Sequence, residues 1–99
     1  MAVYVDPLLP CLTSKAWRYT HSSHLIGDTE EELIAFAERI GLKAEWIQRG
    51  TSITHFDLNS SKRQQAVEAG AIEIDIKEMG KRIQKHRQYL RKRKRSYAS

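Results

Sequence analysis

The sequence predicts an α+β fold of the ferredoxin-like type, βαββαβ, with an antiparallel sheet, two helices on one face, an extra N-terminal strand and a basic C-terminal helix. Two observations predict it. Two helices with capping residues each lie between short β-branched or aromatic runs. The two units also repeat weakly, since both begin with His-x-x-x-Asp/Asn and both helices end at a glycine, Gly41 or Gly70. The alternative is that the two halves are not a true repeat and only share the common pattern of a strand, a capping residue and a helix.

The first half of the chain contains the extra strand, a loop and the first strand and helix of the repeat. Residues 3–5 are a β-branched and aromatic run that predicts a strand, whereas residues 6–20 look irregular. Residues 24–26 predict another strand. The helix over residues 29–40 starts with a capping box led by Thr29. Its apolar stripe recurs at helical spacing and comprises Leu33, Phe36, Ala37 and Ile40.

Two strands and a second helix follow. Residues 45–48 and 53–58 are rich in residues that favour strands and lie close together, so we expect a hairpin with a turn at residues 50–52. The second helix begins after a capping residue, Asn59, and ends at Gly70.

A change in charge marks the end of the domain. Residues 72–76 alternate with period two and predict a half-buried strand. We therefore expect one α+β domain over residues 1–76 and a basic helical tail over residues 77–99. The tail has a thin apolar stripe that allows only its first half to dock on the domain. This stripe comprises Met79, Ile83 and Leu90.

Composition excludes several kinds of site. Cys11 is the single cysteine, so neither an internal disulfide nor a thiolate metal cluster can form within one chain. The N-terminus lacks a signal-peptide pattern, and no run approaches the roughly 18 apolar residues that a membrane span needs. We expect a cytoplasmic protein with no membrane partner. The sequence also lacks the Gly-rich nucleotide loops, the His-Glu-x-x-His metalloprotease motif and the Gly-x-Ser-x-Gly elbow.

Alternation along the strands predicts a polar cluster on the sheet face away from the helices. If the strands at 24–26 and 53–58 are parallel neighbours, His24 lies beside His55, and Asp57 points to the same side. Ile26 shares that face. The apolar set expected to face the helices comprises Leu25, Phe56 and Leu58. The acids of the edge strand, Glu73 and Asp75, join the cluster if Ile72, Ile74 and Ile76 point toward the helices.

Two histidines and one carboxylate can perform two kinds of chemistry. His24, His55 and Asp57 can hold a divalent metal ion, or the imidazoles can act as acid and base on a phosphodiester because they titrate near neutrality. These three residues are the metal and catalytic candidates. In a purely structural alternative, the histidines cap strand ends or hydrogen-bond one another.

The tail is the strongest electrostatic feature. Residues 77–99 carry ten Lys or Arg and one acid, a net charge of +9, while residues 1–76 carry a net charge of −4. A tethered cationic helix is suited to phosphate backbones of DNA or RNA. The alternative is a solvated or targeting extension. The residues expected to bind nucleic acid are Lys81, Arg82, Lys85, Arg87, Arg91, Lys92, Arg93, Lys94 and Arg95.

A second anion site is expected at the start of the second helix. Ser61, Lys62 and Arg63 could hold a phosphate with help from free backbone N–H groups, although such residues are often merely solvated. Of the two tryptophans, Trp46 is expected to pack, and Trp17 could stack on a base.

The chain resembles the family called domain of unknown function 4031, which occurs in actinobacteria and bacteriophages. The resemblance covers residues 2–76 and leaves the basic helix outside. It implies no reaction, but it implies that a set of polar residues belongs to the family pattern. The matching residues include Val3-Tyr4-Val5-Asp6, Trp17, His24-Leu25, Asp28, His55-Phe56-Asp57, Lys62-Arg63 and Gly70-Ala71. The polar positions it implies are His24, Asp28, His55, Asp57 and Arg63.

Three functions remain open from the sequence. The first is nucleic-acid binding through the basic helix. The second is a small metal-dependent or two-histidine phosphoesterase built on His24, His55 and Asp57. The third, which a phage origin would favour, is inhibition of a host protein.

Overall fold

The computed structural model describes residues 2–49 and 53–98, with side chains as far as Lys92. The turn expected at 50–52 and the side chains of Arg93, Lys94 and Arg95 lie outside the described residues. In chain order the elements are β1 (Val3–Val5), β2 (Leu9–Pro10), β3 (His21–Gly27), α1 (Glu30–Arg39), a 3-10 turn (Ala44–Trp46), β4 (Phe56–Leu58), α2 (Ser60–Glu68), β5 (Ile72–Glu73) and α3 (Ile76–Ala98). None of the helices in this described part is long and apolar enough to cross a membrane.

The five strands form a mixed sheet with β3 and β1 at its centre. β1 pairs antiparallel with β3 and parallel with β5, while β4 pairs antiparallel with the other edge of β3. The short β2 pairs with the beginning of β3. The N-terminal strand is therefore a central strand of the sheet. Its two apolar residues, Val3 and Val5, belong to the main core.

Both early helices cover one face of this sheet, as expected. The Thr29 hydroxyl accepts a hydrogen bond from the N–H of Glu32, and the Asn59 side chain caps α2 in the same way. Gly41 takes a positive φ of 84° directly after α1, which favours glycine. The predicted core residues Leu25, Phe56 and Leu58 are fully buried under these helices together with the stripe of α1.

The start of α3 covers part of the opposite face. Tyr4 and Ile26 are cross-strand partners and point away from the Val5 side. The Arg82 guanidinium carbon lies 3.8 Å from the centre of the Tyr4 ring, and both Ile26 and Met79 are buried. This cation–π contact adds to apolar burial in holding the helix to the sheet. The first half of the basic helix therefore docks, as its apolar stripe predicts.

The α+β class is confirmed, but the exact ferredoxin-like topology is not. The expectation that the strands of His24 and His55 run parallel is wrong: β4 is antiparallel to β3, with His24 opposite Asp57. Parallel neighbouring strands require a crossover connection, usually a single helix, that brings the chain back to the end where the first strand began. Here residues 41–55 form a long connection after α1, so the next strand can enter from the other end.

Two predicted strands differ from the structure. Residues 45–48 contribute a 3-10 turn and a single bridge between Gln48 and His55, because the turn places Ile47 against the core while Trp46 remains 52 % exposed. The strand over 72–76 stops after Glu73, since the Asp75 carboxylate accepts the N–H of Glu78 and caps α3.

The isoleucines of this segment also point differently from the expectation. Ile72 and Ile76 are 48 % and 60 % exposed and do not face the helices.

Docking of α3 can be tested by removing its buried methionine. We expect Met79→Ala to lower the free energy of unfolding by about 2 kcal/mol, because the side chain is only 5 % exposed. Leu90→Ala, on the exposed part of the same helix, is the matched control and should change stability by less than about 0.5 kcal/mol. Equal losses in urea denaturation would show that α3 does not dock through Met79.

Candidate metal centre

The structure brings His24, His55 and Asp57 together on the sheet face opposite α1 and α2. His24 and Asp57 are paired residues of β3 and β4, and His55 lies two residues before Asp57. The two imidazole centres are 4.9 Å apart and the rings are nearly perpendicular, at 73°. One potential ligand atom from each of the three side chains lies within 4.8 Å of the others. The three side chains that the sequence predicts to cluster therefore lie close together in the structure.

A buried carboxylate orients His24. The His24 Nδ1 atom is 2.7 Å from Asp6 Oδ2. An ionised carboxylate can only accept, so Nδ1 donates and the lone pair of the imidazole lies on Nε2. The His24 side chain is 46 % exposed, against 8 % for Asp6. His24 therefore has one nitrogen tied to the protein interior and the other available to a ligand.

Further hydrogen bonds hold Asp6 in place. Its Oδ1 atom accepts from the backbone N–H of His24 at 2.6 Å and from the Ser23 hydroxyl at 2.9 Å. Its backbone carbonyl accepts from Arg63 Nε at 2.9 Å. The last contact links α2 to the end of β1, so the position of His24 depends on three separate elements.

A backbone carbonyl orients His55. The His55 Nδ1 atom is 2.7 Å from the carbonyl oxygen of Ile53, which can only accept. The other ring nitrogen, Nε2, lies 3.3 Å from Asp57 Oδ1 and becomes a ligand atom when it carries no proton. Only 7 % of the His55 side chain is exposed. Both histidines thus use Nδ1 for orientation and leave Nε2 on the side of the cluster.

The charges of the cluster are set by its own hydrogen bonds. The contact with His55 lowers the pKa of Asp57, and Gln48 Nε2, which donates to the other carboxylate oxygen, lowers it further. The hydrogen bond to Asp6 raises the pKa of His24, against the effect of burial. Burial pulls the pKa of Asp6 upward, but the hydrogen bonds and charge of His24 outweigh it and lower that pKa. Both carboxylates are therefore anionic at neutral pH.

This donor set suits a divalent transition metal. Two neutral imidazoles and one carboxylate occur in catalytic zinc sites and in the facial triad of non-haem iron, both of which keep positions open for water or substrate. Histidine ligands in metalloproteins characteristically donate their other N–H to a carboxylate or a backbone carbonyl. Here Asp6 supplies the carboxylate for His24, and Ile53 supplies the backbone carbonyl for His55.

The other expected site residues lie elsewhere or have structural contacts. Asp28 lies at the far end of the same face, where it accepts from the Ala2 N–H and the Tyr4 hydroxyl. Glu73 pairs with Arg63, and Asp75 caps α3. These acids do not join the cluster.

The expected phosphate residues divide into two groups. Arg63 is held by the Asp6 carbonyl and by Glu73, and the Ser61 hydroxyl accepts a hydrogen bond from Gln65. Lys62 instead lines a cleft, with its ammonium group 2.7 Å from the Ile40 carbonyl. Of the three, the structure therefore places Lys62 where it could meet a ligand.

The cleft adjoins the cluster of His24, His55 and Asp57 and has a volume of about 560 Å³. Asp57 lies in its wall, together with Gln48. The remaining lining residues are Ala16, Trp17, Tyr19, Gly41, Leu42, Trp46, Asn59 and Lys62.

The comparison with protein families gives a match over residues 3–86. The matching family is described as a protein of unknown function, DUF4031. The chain belongs to this family. No match was found among curated proteins or among solved structures. Because the match extends to residue 86, the first part of α3 also belongs to the family region, ten residues beyond the resemblance seen in the sequence.

Two site residues of this DUF4031 member were not among the sequence candidates. Asp6 appeared only after the first predicted strand and within the matching run Val3-Tyr4-Val5-Asp6, and Gln48 as part of a predicted strand that does not form. A signal for Asp6 exists, since it is an acid directly after an apolar strand and before a proline. Its pairing with His24 became visible only with the register of β1 against β3.

Replacing Asp6 with Asn tests its role through pH. Asp6 stabilises the fold above pH 3.8, its ordinary pKa, and loses this contribution as the pH falls through its lowered pKa. His24 contributes fully below pH 6.5 and loses its contribution as the pH rises through its raised pKa. We expect Asp6→Asn to lower the free energy of unfolding by about 2 kcal/mol between these limits. Outside them the loss should shrink.

The measurement is chemical denaturation from pH 3 to 9 with a chelator present, a range set by the ordinary carboxylate and imidazole pKa values of about 4 and about 6.5. Asp28→Asn, which removes a partly exposed carboxylate from the same face, is the control and should show no decrease of its effect on the alkaline side. A loss for Asp6→Asn that stays constant over the whole range would contradict the ion pair.

Proposed function

We propose that this protein is a metal-dependent phosphoesterase that holds a divalent ion with His24, His55 and Asp57. One observation carries the proposal: both histidines have Nδ1 bound by an acceptor, at 2.7 Å in each case, so that both Nε2 atoms remain for a ligand beside a carboxylate. Two histidines that served only to join strands would not need this common orientation.

Access and charge support the same function. His24 is half-exposed and Asp57 lies in the wall of the cleft, so an ion held there can meet both water and a substrate. Asp57 supplies the anionic ligand, and the buried carboxylate of Asp6 increases the basicity of His24 as a ligand. Three protein ligands leave at least one coordination position for water.

The ion would polarise the phosphoryl oxygens and lower the pKa of a bound water toward neutrality. In the reaction, the oxygen of water forms a bond to phosphorus while the bond from phosphorus to the leaving oxygen breaks. The proton released from water ends on the leaving oxygen, and the products are a phosphate monoester and an alcohol. His24, His55 and Asp57 position the ion, and Asp6 positions His24.

Zinc titration tests the metal centre. We expect the full chain to bind one Zn²⁺ in isothermal titration calorimetry, and His24→Ala to weaken binding by more than about 100-fold, beyond the effect of losing an outer partner. His21→Ala is the matched control because His21 lies on the same strand, is exposed and contacts only the Thr20 hydroxyl among the side chains of the described residues. Equal Zn²⁺ affinity for both variants would refute the centre.

Hydrolysis is measured separately on bis(p-nitrophenyl) phosphate and on single-stranded DNA and RNA. Activity should require Zn²⁺ or Mn²⁺, disappear with a chelator and disappear in His24→Ala. Activity that survives the chelator but not His24→Ala would favour the two-histidine alternative. Zinc binding without hydrolysis of any phosphodiester would leave a metal-binding protein and overturn the phosphoesterase.

A second proposal, binding of DNA or RNA by α3, rests on a different observation. Beyond the docked segment, the helix presents basic side chains to solvent, and it lies on the same sheet face as the metal cluster. The exposed basic residues of its described part are Lys77, Lys81, Lys85, Arg87, Arg91 and Lys92. Arg82 is instead engaged in docking through Tyr4 and Asp28, and it also pairs with Glu78 of the same helix.

The salt dependence of oligonucleotide binding tests this second proposal. Changing Lys81, Lys85 and Arg87 to Gln should weaken binding to duplex DNA and reduce the slope of log K against log salt by roughly 0.9 for each lost phosphate contact. The control removes three exposed charges from the body: Lys15, Arg39 and Lys43. Equal effects of the two triple variants would indicate nonspecific attraction by net charge and contradict a binding helix.

A further inference from the structure

We infer that the cleft beside the metal cluster binds a nucleotide, with its base among Trp17, Tyr19 and Trp46 and its phosphate toward Asp57 and Lys62. This inference rests on the proposed metal centre and names its substrate class. The substrate is a phosphate ester that carries a planar aromatic group.

Three aromatic side chains line the cleft. Trp17 and Tyr19 are in edge-to-face contact, with ring centres 5.0 Å apart, and Trp46 contributes from the 3-10 turn. Tyr19 and Trp46 are 50 % and 52 % exposed. Exposed aromatic faces in a concave site stack well on nucleobases, since every base has a π-face. The sequence expectation that Trp46 packs is therefore replaced by a position at the wall of the cleft.

The indole N–H of Trp17 adds a separate observation. This atom is buried and has no hydrogen-bond partner among the described residues. A buried donor without a partner costs about 1–3 kcal/mol. A ligand with carbonyl or ring-nitrogen acceptors can remove this cost after a small turn of the ring, and a nucleobase carries such acceptors, whereas a hydrocarbon does not.

Polar groups also line the cleft. Asp57 is both a candidate metal ligand and a lining residue. The Lys62 ammonium contacts the Ile40 carbonyl at 2.7 Å and Gln65 Oε1 at 3.3 Å, and an ammonium has three donors, so one remains for a phosphate oxygen. A metal ion and a lysine beside an aromatic wall match a nucleotide and not a simple sugar phosphate.

The volume is in the range of small-molecule sites. At about 560 Å³, the cleft lies within the roughly 300–1,000 Å³ typical of ligand pockets. The nucleotide could be free or could be an unpaired residue of a nucleic-acid strand held by α3. Both sources present the same base and phosphate.

Intrinsic fluorescence provides a direct probe, because Trp17 and Trp46 are the two tryptophans of the chain and both line the cleft. With the full, zinc-loaded chain, we expect AMP to quench this fluorescence and to bind at least about tenfold more tightly than ribose 5-phosphate, which has no base. Trp46→Ala should weaken AMP binding in calorimetry by about tenfold and leave ribose 5-phosphate unchanged. The control is Tyr89→Ala, an exposed aromatic residue of α3.

The outcomes separate this inference from the metal centre. Equal affinities for AMP and ribose 5-phosphate, or equal affinity of wild type and Trp46→Ala for AMP, would overturn the nucleotide cleft. In that case an unchanged Zn²⁺ titration would leave the metal centre standing. Base-dependent quenching without Zn²⁺ binding would support the cleft and overturn the centre. A single-stranded trinucleotide that binds more tightly than AMP would support the cleft with a strand as the source, and equal binding would support it with the free nucleotide.

Discussion

The hydrogen bonds of the Asp6 carboxylate position His24, the most exposed member of the candidate site, and link the two central strands. Asp6 is 6 % exposed and lies just beyond the central strand β1. It accepts from the backbone and ring of His24 and from Ser23, so one side chain both extends the pairing of β1 with β3 and orients the imidazole. A buried carboxylate is stable only when its charge is compensated in this way. The need for compensation fixes the tautomer that a metal ligand requires.

The two faces of the sheet have different roles. One face is apolar and buried under α1 and α2, and its core determines that the domain folds. The other face is divided along β3: Ile26 is covered by the start of α3, whereas His24 remains half-exposed. Because α3 docks through Tyr4 and not through the histidines, the cluster stays open to solvent and to the aromatic cleft. The proposed metal centre and the proposed nucleic-acid surface therefore use different residues of one face.

Much of the local structure could be predicted because it depends on neighbours in the sequence. Thr29 and Asn59 cap their helices, and Gly41 ends the first helix, since caps and left-handed glycines are decided within a single turn. The segments whose secondary structure was predicted wrongly are short. The four residues from Glu45 onward fit a strand or a turn equally well. The alternating isoleucines after Gly70 predicted a strand, although Asp75 caps α3. Packing and one capping hydrogen bond decided these cases.

The sequence by itself determined the α+β class, the apolar residues that face the first two helices and the three members of the polar cluster, because alternation and helical spacing say which side chains share a face. Only the tertiary structure decided how the strands pair. The antiparallel register of β4 against β3 places Asp57 opposite His24, and the central position of β1 brings Asp6 to the same histidine. Strand direction and order depend on the path of long connections such as residues 41–55, and such paths are set by contacts between residues far apart in the chain.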